Sequence, residues 1–158
     1  MFFSKHRIIA SETSNIIFAK QIHRIAIGDA SLKKYNRSKG GVFLKENKLS
    51  ELSMDFSVDI INLVKYLKSN HESIISNQVG RSGTSIGANI HEAQYAQSKK
   101  DFISKLEIAL KEASETGYWL ELLYKTNYID EQLYKTISSK CASLRVMLIA
   151  SCKTAKKN

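Results

Sequence analysis

The residues with the most chemical promise lie between Gln78 and Glu92, in the stretch QVGRSGTSIGANIHE. Gly80, Gly83 and Gly87 would suit a phosphate-cradling loop, in which bare backbone amides approach an anion closely. Such a loop also needs a lysine after its last glycine, at the opening of a helix that follows a strand, and the sequence supplies neither. The same stretch keeps a helical register: Ile75, Val79, Ser82, Ile86, Asn89, Ala93 and Ala96 fall at alternating steps of four and three, along one seam. A glycine inside a helix costs up to about 1 kcal/mol against alanine, a penalty that close approach of a neighbouring helix can offset. The segment therefore reads as a helix whose glycines serve packing.

Within that seam Asn89 is the oddity, because a buried amide needs hydrogen-bond partners. The stripe Ile108, Glu112, Glu115 and Trp119 of a later helix lies beside its own apolar seam, so Glu112 or Glu115 is placed to reach Asn89, Ser85 or Arg81. We expect Arg81, Ser85, Asn89, Glu112 and Glu115 to form a structural polar network that fixes helix register, as a buried Asn does in coiled coils.

Enzymatic chemistry finds no foothold, and no cofactor is expected. His91-Glu92 is not a zinc-binding HExxH, since Tyr95 stands where the second histidine belongs, and the paired Glu-x-x-His motifs of carboxylate-bridged iron bundles are missing. There is no GxSxG elbow, and Cys141 and Cys152 fall at or beside a core stripe without a base assigned to either. Eleven residues apart on one helix, they are separated by roughly 16 Å along its axis, too far for a disulfide within it. Buried thiols in a reducing cytoplasm are the expected state. Tyr118, Trp119 and Tyr124 have faces on which bases could stack, but aromatics near the end of a packed helix more often serve core or subunit contacts.

The elements that must position these residues are all helical. At 158 residues and 43% hydrophobic, with no proline, the chain suits one domain with a real core. Phe56, Ile60, Leu63 and Leu67 mark a first helix ending near Ser69-Asn70. The glycine-bearing helix follows a turn around His71 and extends to about Ala96. Ser98, with Asp101 three residues on, caps a third helix carrying Phe102, Leu106, Ala109, Ala113, Thr116, Leu120 and Leu123, which ends before Thr126-Asn127. Asp130 caps a fourth, with Tyr134, Ile137, Cys141, Leu144 and Leu148 leading toward Lys153. Short connections imply an all-α, antiparallel up-down-up-down four-helix bundle over residues 49–155, preceded by an N-terminal extension.

Residues 1–48 differ in kind. A weak helix from Glu12 to Ile27 is suggested by Ile16, Ala19, Ile22, His23 and Ala26, followed by a polar basic linker. A docked helical arm, a disordered tail and residues added by an early start codon are three open readings of this extension. The net charge of +9 is concentrated here: residues 1–49 hold ten Lys or Arg against three acids, residues 50–158 fourteen against twelve. Lys33, Lys34, Arg37, Lys39, Lys45 and Lys48 are the candidate contacts to nucleic acid. No secretory or membrane-spanning stretch is evident, and a soluble cytoplasmic protein is expected.

With the helices placed, the second and third resemble those of the small four-helix-bundle proteins encoded in intervening sequences of bacterial 23S ribosomal RNA genes, the S23-type family. That family is related to the accessory variability proteins of diversity-generating retroelements. The resemblance spans roughly Lys45 to Thr154. It is most specific at Gln78, Arg81, Ser85, Ile86, Asn89 and Glu92 together with SKKDFISKLEIALKEASETGYWLELL, where Ser98, Asp101, Phe102, Ala109, Glu112, Glu115 and Trp119 follow the family pattern. Gly83 and Gly87 replace larger small residues, Ala93 stands where many members have glycine, and residues 1–44 have no counterpart. The resemblance implies a bundle that assembles into a homopentamer. For retroelement members it also implies binding of nucleic acid and of a reverse transcriptase, whereas description as a ribosomal protein reflects gene location. The expectation is a non-enzymatic oligomer that binds RNA or DNA through basic surfaces; the alternative is an assembly module that recruits a nucleic-acid enzyme such as a reverse transcriptase.

Overall fold

From Leu49 onward large apolar residues recur at steps of three and four, and only a helix gathers them on one side. The computed structural model describes residues 48–157, which form α1 (Lys48–Ser69), α2 (Ile74–Ala93), α3 (Lys99–Lys125) and α4 (Glu131–Lys157). The expected helix over Glu12–Ile27 and the basic residues Lys33, Lys34, Arg37, Lys39 and Lys45 lie outside the described residues. Each helix packs on the next in sequence and α1 closes against α4, so the bundle is all-α and runs up-down-up-down. Its core is drawn from every helix: Phe56, Ile60, Leu63 and Leu67 of α1, Val79 and Ile86 of α2, Leu120 and Leu123 of α3, and Leu144 and Leu148 of α4 are fully buried.

The helix ends explain why the connections are short. α1 and α3 both stop in a Schellman turn. Glu72 N–H reaches back to the Leu67 carbonyl and His71 N–H to that of Lys68, with His71 at φ 61°. Tyr128 N–H and Asn127 N–H bond the carbonyls of Leu123 and Tyr124 in the same way, with Asn127 at φ 59°. The next helices start at once. The buried Glu72 carboxylate accepts from Ile75 N–H at 2.7 Å and Ser76 N–H at 2.6 Å, capping α2 in place of Ser73. Ser98 Oγ accepts from Asp101 N–H at 3.1 Å, as expected, while the shorter Asp101 carboxylate receives Gln97 N–H rather than that of Ser98. Asp130 accepts from Leu133 N–H at 2.7 Å and caps α4. Two boundaries differ from expectation. α2 gives way after Ala93 to tight three-residue turns through Ala96, and α4 continues past Lys153 to Lys157.

The glycines of α2 face α1. A methyl group at Gly83 would stand 2.7, 2.9 and 3.0 Å from three carbons of the buried Ile60; at Gly87 it would meet Ser57 Oγ at 2.9 Å, and at Gly80 a Val64 methyl at 3.0 Å. The packing role inferred from the sequence is thus the observed one. Gly117 of α3 differs, with open space where a Cβ would stand. The two positions make opposite stability tests. Gly83→Ala is expected to cost about 1–3 kcal/mol because Ile60 has no room to retreat, whereas Gly117→Ala is expected to stabilise by up to about 1 kcal/mol through helix propensity alone. Urea denaturation of the two variants checks both signs.

Candidate functional site

The polar residues singled out in the sequence line the outer seam between α2 and α3, and their geometry follows from helix register. Arg81 of α2 sits opposite Glu112 and Glu115, one turn apart on α3. Its guanidinium pairs directly with Glu115 and places Nη1 3.7 Å from Glu112 Oε2. Trp119 Nε1 donates to the same Glu115 oxygen at 3.2 Å, and this bond, with the Arg81 pair, lowers the Glu115 carboxyl below its usual range. Glu112 Oε2 is buried and accepts no hydrogen bond among the described residues, so the more distant Arg81 charge is what faces it. One turn or more further along the seam, Lys105 Nζ bonds Glu92 at 2.5 Å, and this pairing raises the Lys105 ammonium.

Asn89 does not occupy the core seam. Ile90 is buried in its place, and the half-buried Asn89 amide donates to the Ser85 carbonyl at 2.9 Å, within its own helix. The reason is the true helical period: at 3.6 residues per turn, strict steps of four and three drift around the helix, and by the third turn Ile90 has rotated inward. Arg81, Glu112 and Glu115 therefore come together, while Asn89 and Ser85 bond each other and neither acid reaches them through a hydrogen bond.

The polar contact that does lie in the α2–α3 core is between Ser82 and Thr116. Both are fully buried, and Thr116 Oγ1 donates to Ser82 Oγ at 3.0 Å while Ser82 donates to the Gln78 carbonyl at 3.0 Å. Both residues stand in the seams read from the sequence, and their matching polarity at facing positions was the available signal. A second contact escaped sequence reasoning. Asp59 of α1, buried in the core wall, is bound by Lys140 of α4; its position one residue before Ile60 was the only hint.

The remaining candidates have structural surroundings. Cys141 and Cys152 are free and buried. Cys141 Sγ donates to the Ala113 carbonyl at 3.3 Å, and burial pushes its thiol up to about 11, with Arg145 opposing weakly. Burial and the nearby Glu107 also raise Cys152. His91 is exposed and lies 5.4 Å from the Tyr95 ring. Among the described residues no group of three or more His, Cys, Asp or Glu could hold a metal ion. Tyr124 stacks on Tyr134 of α4 at 4.7 Å and Trp119 packs against the core, leaving Tyr118 as the exposed ring of the three. Of the six basic candidates only Lys48 is described, exposed at the start of α1. No described helix is long and apolar enough to cross a membrane.

The bundle, its caps and the Arg81–Glu115–Trp119 constellation stand on the stretch where known proteins also align. The sequence profile of the 23S rRNA-intervening sequence protein family matches residues 45–150. The chain belongs to this family. It is similar to the crystal structure of a protein of unknown function from the S23 ribosomal protein family of Bacteroides thetaiotaomicron, with 50% identity and a TM-score of 0.66, over 66% of this chain and 98% of that one. A search of curated proteins finds no match. The intervening-sequence family region thus coincides with the bundle, and nearly the whole solved relative corresponds to two thirds of this chain.

Two substitutions test how this family bundle is held. Lys140→Met strands the Asp59 carboxylate in a buried position and is expected to cost about 3 kcal/mol. Asn89→Leu removes one intrahelical bond at a half-buried site and is expected to change stability by less than about 1 kcal/mol. For Cys141 the sign runs with the neutral thiol. The fold holds that form beyond the ordinary value of 9.0, so its contribution is complete below about pH 9 and lost as the pH rises toward 11. Stability of the wild type is expected to fall across that window more steeply than that of Cys141→Ala, as read by denaturation at successive pH values.

Proposed function

We propose that this chain is a non-enzymatic, oligomeric member of the 23S rRNA-intervening sequence protein family that binds nucleic acid, RNA or DNA, through basic surfaces. The observation that carries the reading is the segregation of charge: ten basic residues against three acidic ones in residues 1–49, beside fourteen against twelve in the rest. A basic segment neutralises phosphates and releases counterions, giving salt-sensitive and weakly sequence-specific binding. In this reading Lys33, Lys34, Arg37, Lys39, Lys45 and Lys48 make the contacts, residues 1–48 act as a basic extension to a bundle over 49–155, and the protein works in the cytoplasm. Assembly into a homopentamer, which the family resemblance suggests, would multiply a weak patch into useful avidity. The polar set Arg81, Ser85, Asn89, Glu112 and Glu115 serves structure in this account.

A second reading is supported by a different observation. Met54, Val58 and Ile61 form an exposed apolar stripe on the outer face of α1, and Val146 is exposed on α4. Such a surface fits an assembly module that recruits a nucleic-acid enzyme such as the reverse transcriptase of a diversity-generating retroelement.

Electrophoretic mobility shift with labelled RNA and DNA decides between them. Under the first reading the full chain shifts both at low salt, affinity falls steeply as salt rises, and deletion of residues 1–44 weakens binding at least tenfold. The deletion is tractable because the Bacteroides relative corresponds to 66% of this chain alone. Absence of any shift by the full chain at low salt contradicts the first reading. Capture of a co-encoded reverse transcriptase by the deletion variant, without nucleic acid, supports the second.

A further inference from the structure

The charges of the bundle are not spread evenly along its length. Antiparallel topology brings four chain stretches to one end: the start of α1, the end of α2, the start of α3 and the end of α4. Lys156 of α4 bonds Glu107 of α3 at 2.7 Å there, and Lys105 of α3 bonds Glu92 of α2. Residues 48–54, 88–109 and 148–157 make up this end and hold seven lysines (48, 99, 100, 105, 153, 156 and 157) against four acids (51, 92, 101 and 107). The other described residues, 55–87 and 110–147, hold eight basic and eight acidic side chains. The entire positive excess of the described bundle therefore sits at one pole.

Five of those lysines are not neutralised by any described residue, Lys48 at the start of α1 and four more. Lys99, Lys100, Lys153 and Lys157 are exposed, and none has a carboxylate within ion-pair distance among the described residues, whereas Lys105 and Lys156 are paired. Lys153 and Lys157 suit the negative end of the α4 dipole, so helix stability alone accounts for them. Lys99 and Lys100 have no such account: they occupy the first turn of α3, where the dipole is already positive and a cation is unfavourable. Beside Asp101 of the same turn, these two like charges held against a helix dipole suit a surface that meets an anion, and a repeating phosphate backbone meets several such charges at once.

We propose that this pole, through Lys99, Lys100, Lys153 and Lys157, is a docking surface for the phosphate backbone of nucleic acid. The inference rests on the nucleic-acid reading above and adds a place on the bundle to it. Contacts of this kind position a strand without reading its sequence, so single-stranded RNA of any composition binds here with similar affinity.

The test compares two fourfold variants of the full chain with equal net charge. One carries Lys99→Gln, Lys100→Gln, Lys153→Gln and Lys157→Gln; the other carries Lys65→Gln, Lys68→Gln, Lys125→Gln and Lys135→Gln at the opposite end. Fluorescence anisotropy with labelled poly(U) is measured over a salt series, and circular dichroism verifies that both variants keep wild-type helicity. The pole variant is expected to bind at least tenfold more weakly at low salt, with its log–log salt slope flattened by about 0.7 for each phosphate that the variant no longer neutralises. The opposite-end variant is expected to stay within threefold of wild type. Equal weakening by both variants overturns the pole while leaving nucleic-acid binding intact, because net charge alone would then govern affinity. No binding by the wild type overturns both.

Discussion

At Gly83 a hydrogen stands where any other residue would drive a carbon to 2.7 Å from Ile60, and the geometry of the bundle follows from that contact. Gly80 and Gly87, one turn to either side on the same face, meet Val64 and Ser57 in the same way, so α1 settles close against α2 over two turns. With that face committed to α1, α2 turns its other flank to α3. There the Ser82–Thr116 hydroxyl pair lies in the core and Arg81 with Glu112 and Glu115 closes the outside. The fourth helix completes the ring through Cys141 against the Ala113 carbonyl and Lys140 against Asp59. Each of these contacts is specific in register, which a uniformly apolar core of leucines would not be.

Much of this was legible in the residues. Four helices, their order and most of their ends followed from apolar spacing and from Ser98 and Asp130, because a cap is a local device whose hydrogen bond spans only three residues. The packing role of the glycines was legible for the same reason: no phosphate-loop context accompanied them. What failed was rotation within the helix. Extending a strict four-three rhythm from Ile75 to Asn89 accumulated enough angular drift to exchange Asn89 for Ile90 in the core. Contacts between distant residues were legible only in part. Arg81 with Glu112 and Glu115 could be proposed from facing stripes, but Asp59 with Lys140 depends on how α4 closes on α1, which no local pattern encodes.

The residues that most specifically match the family pattern, Arg81, Ser85, Asn89, Glu112, Glu115 and Trp119, are occupied with one another and with their own helices. Of these contacts, Arg81 with Glu115 and Glu112 bridges α2 and α3, whereas Asn89 bonds Ser85 within α2 and Trp119 bonds Glu115 within α3. Charge is distributed by a different logic. Side and opposite end of the described bundle are electrically balanced, largely by ion pairs such as Lys125 with Glu121 and Lys135 with Glu131, while the end that receives the chain at Lys48 keeps an unbalanced positive excess. On the proposed reading, shape and binding fall to separate residues: the α2–α3 seam belongs to the scaffold, and lysines outside it would meet the polyanion.

Hydrogen–deuterium exchange of the full chain with and without poly(U) tests that division most directly. The account predicts RNA-dependent protection in residues 97–104 and 151–157, with no change across residues 78–89 and 111–119. Protection centred on the Arg81–Glu115–Trp119 seam, with residues 97–104 and 151–157 unaltered, would contradict it and make the family-pattern residues the binding surface.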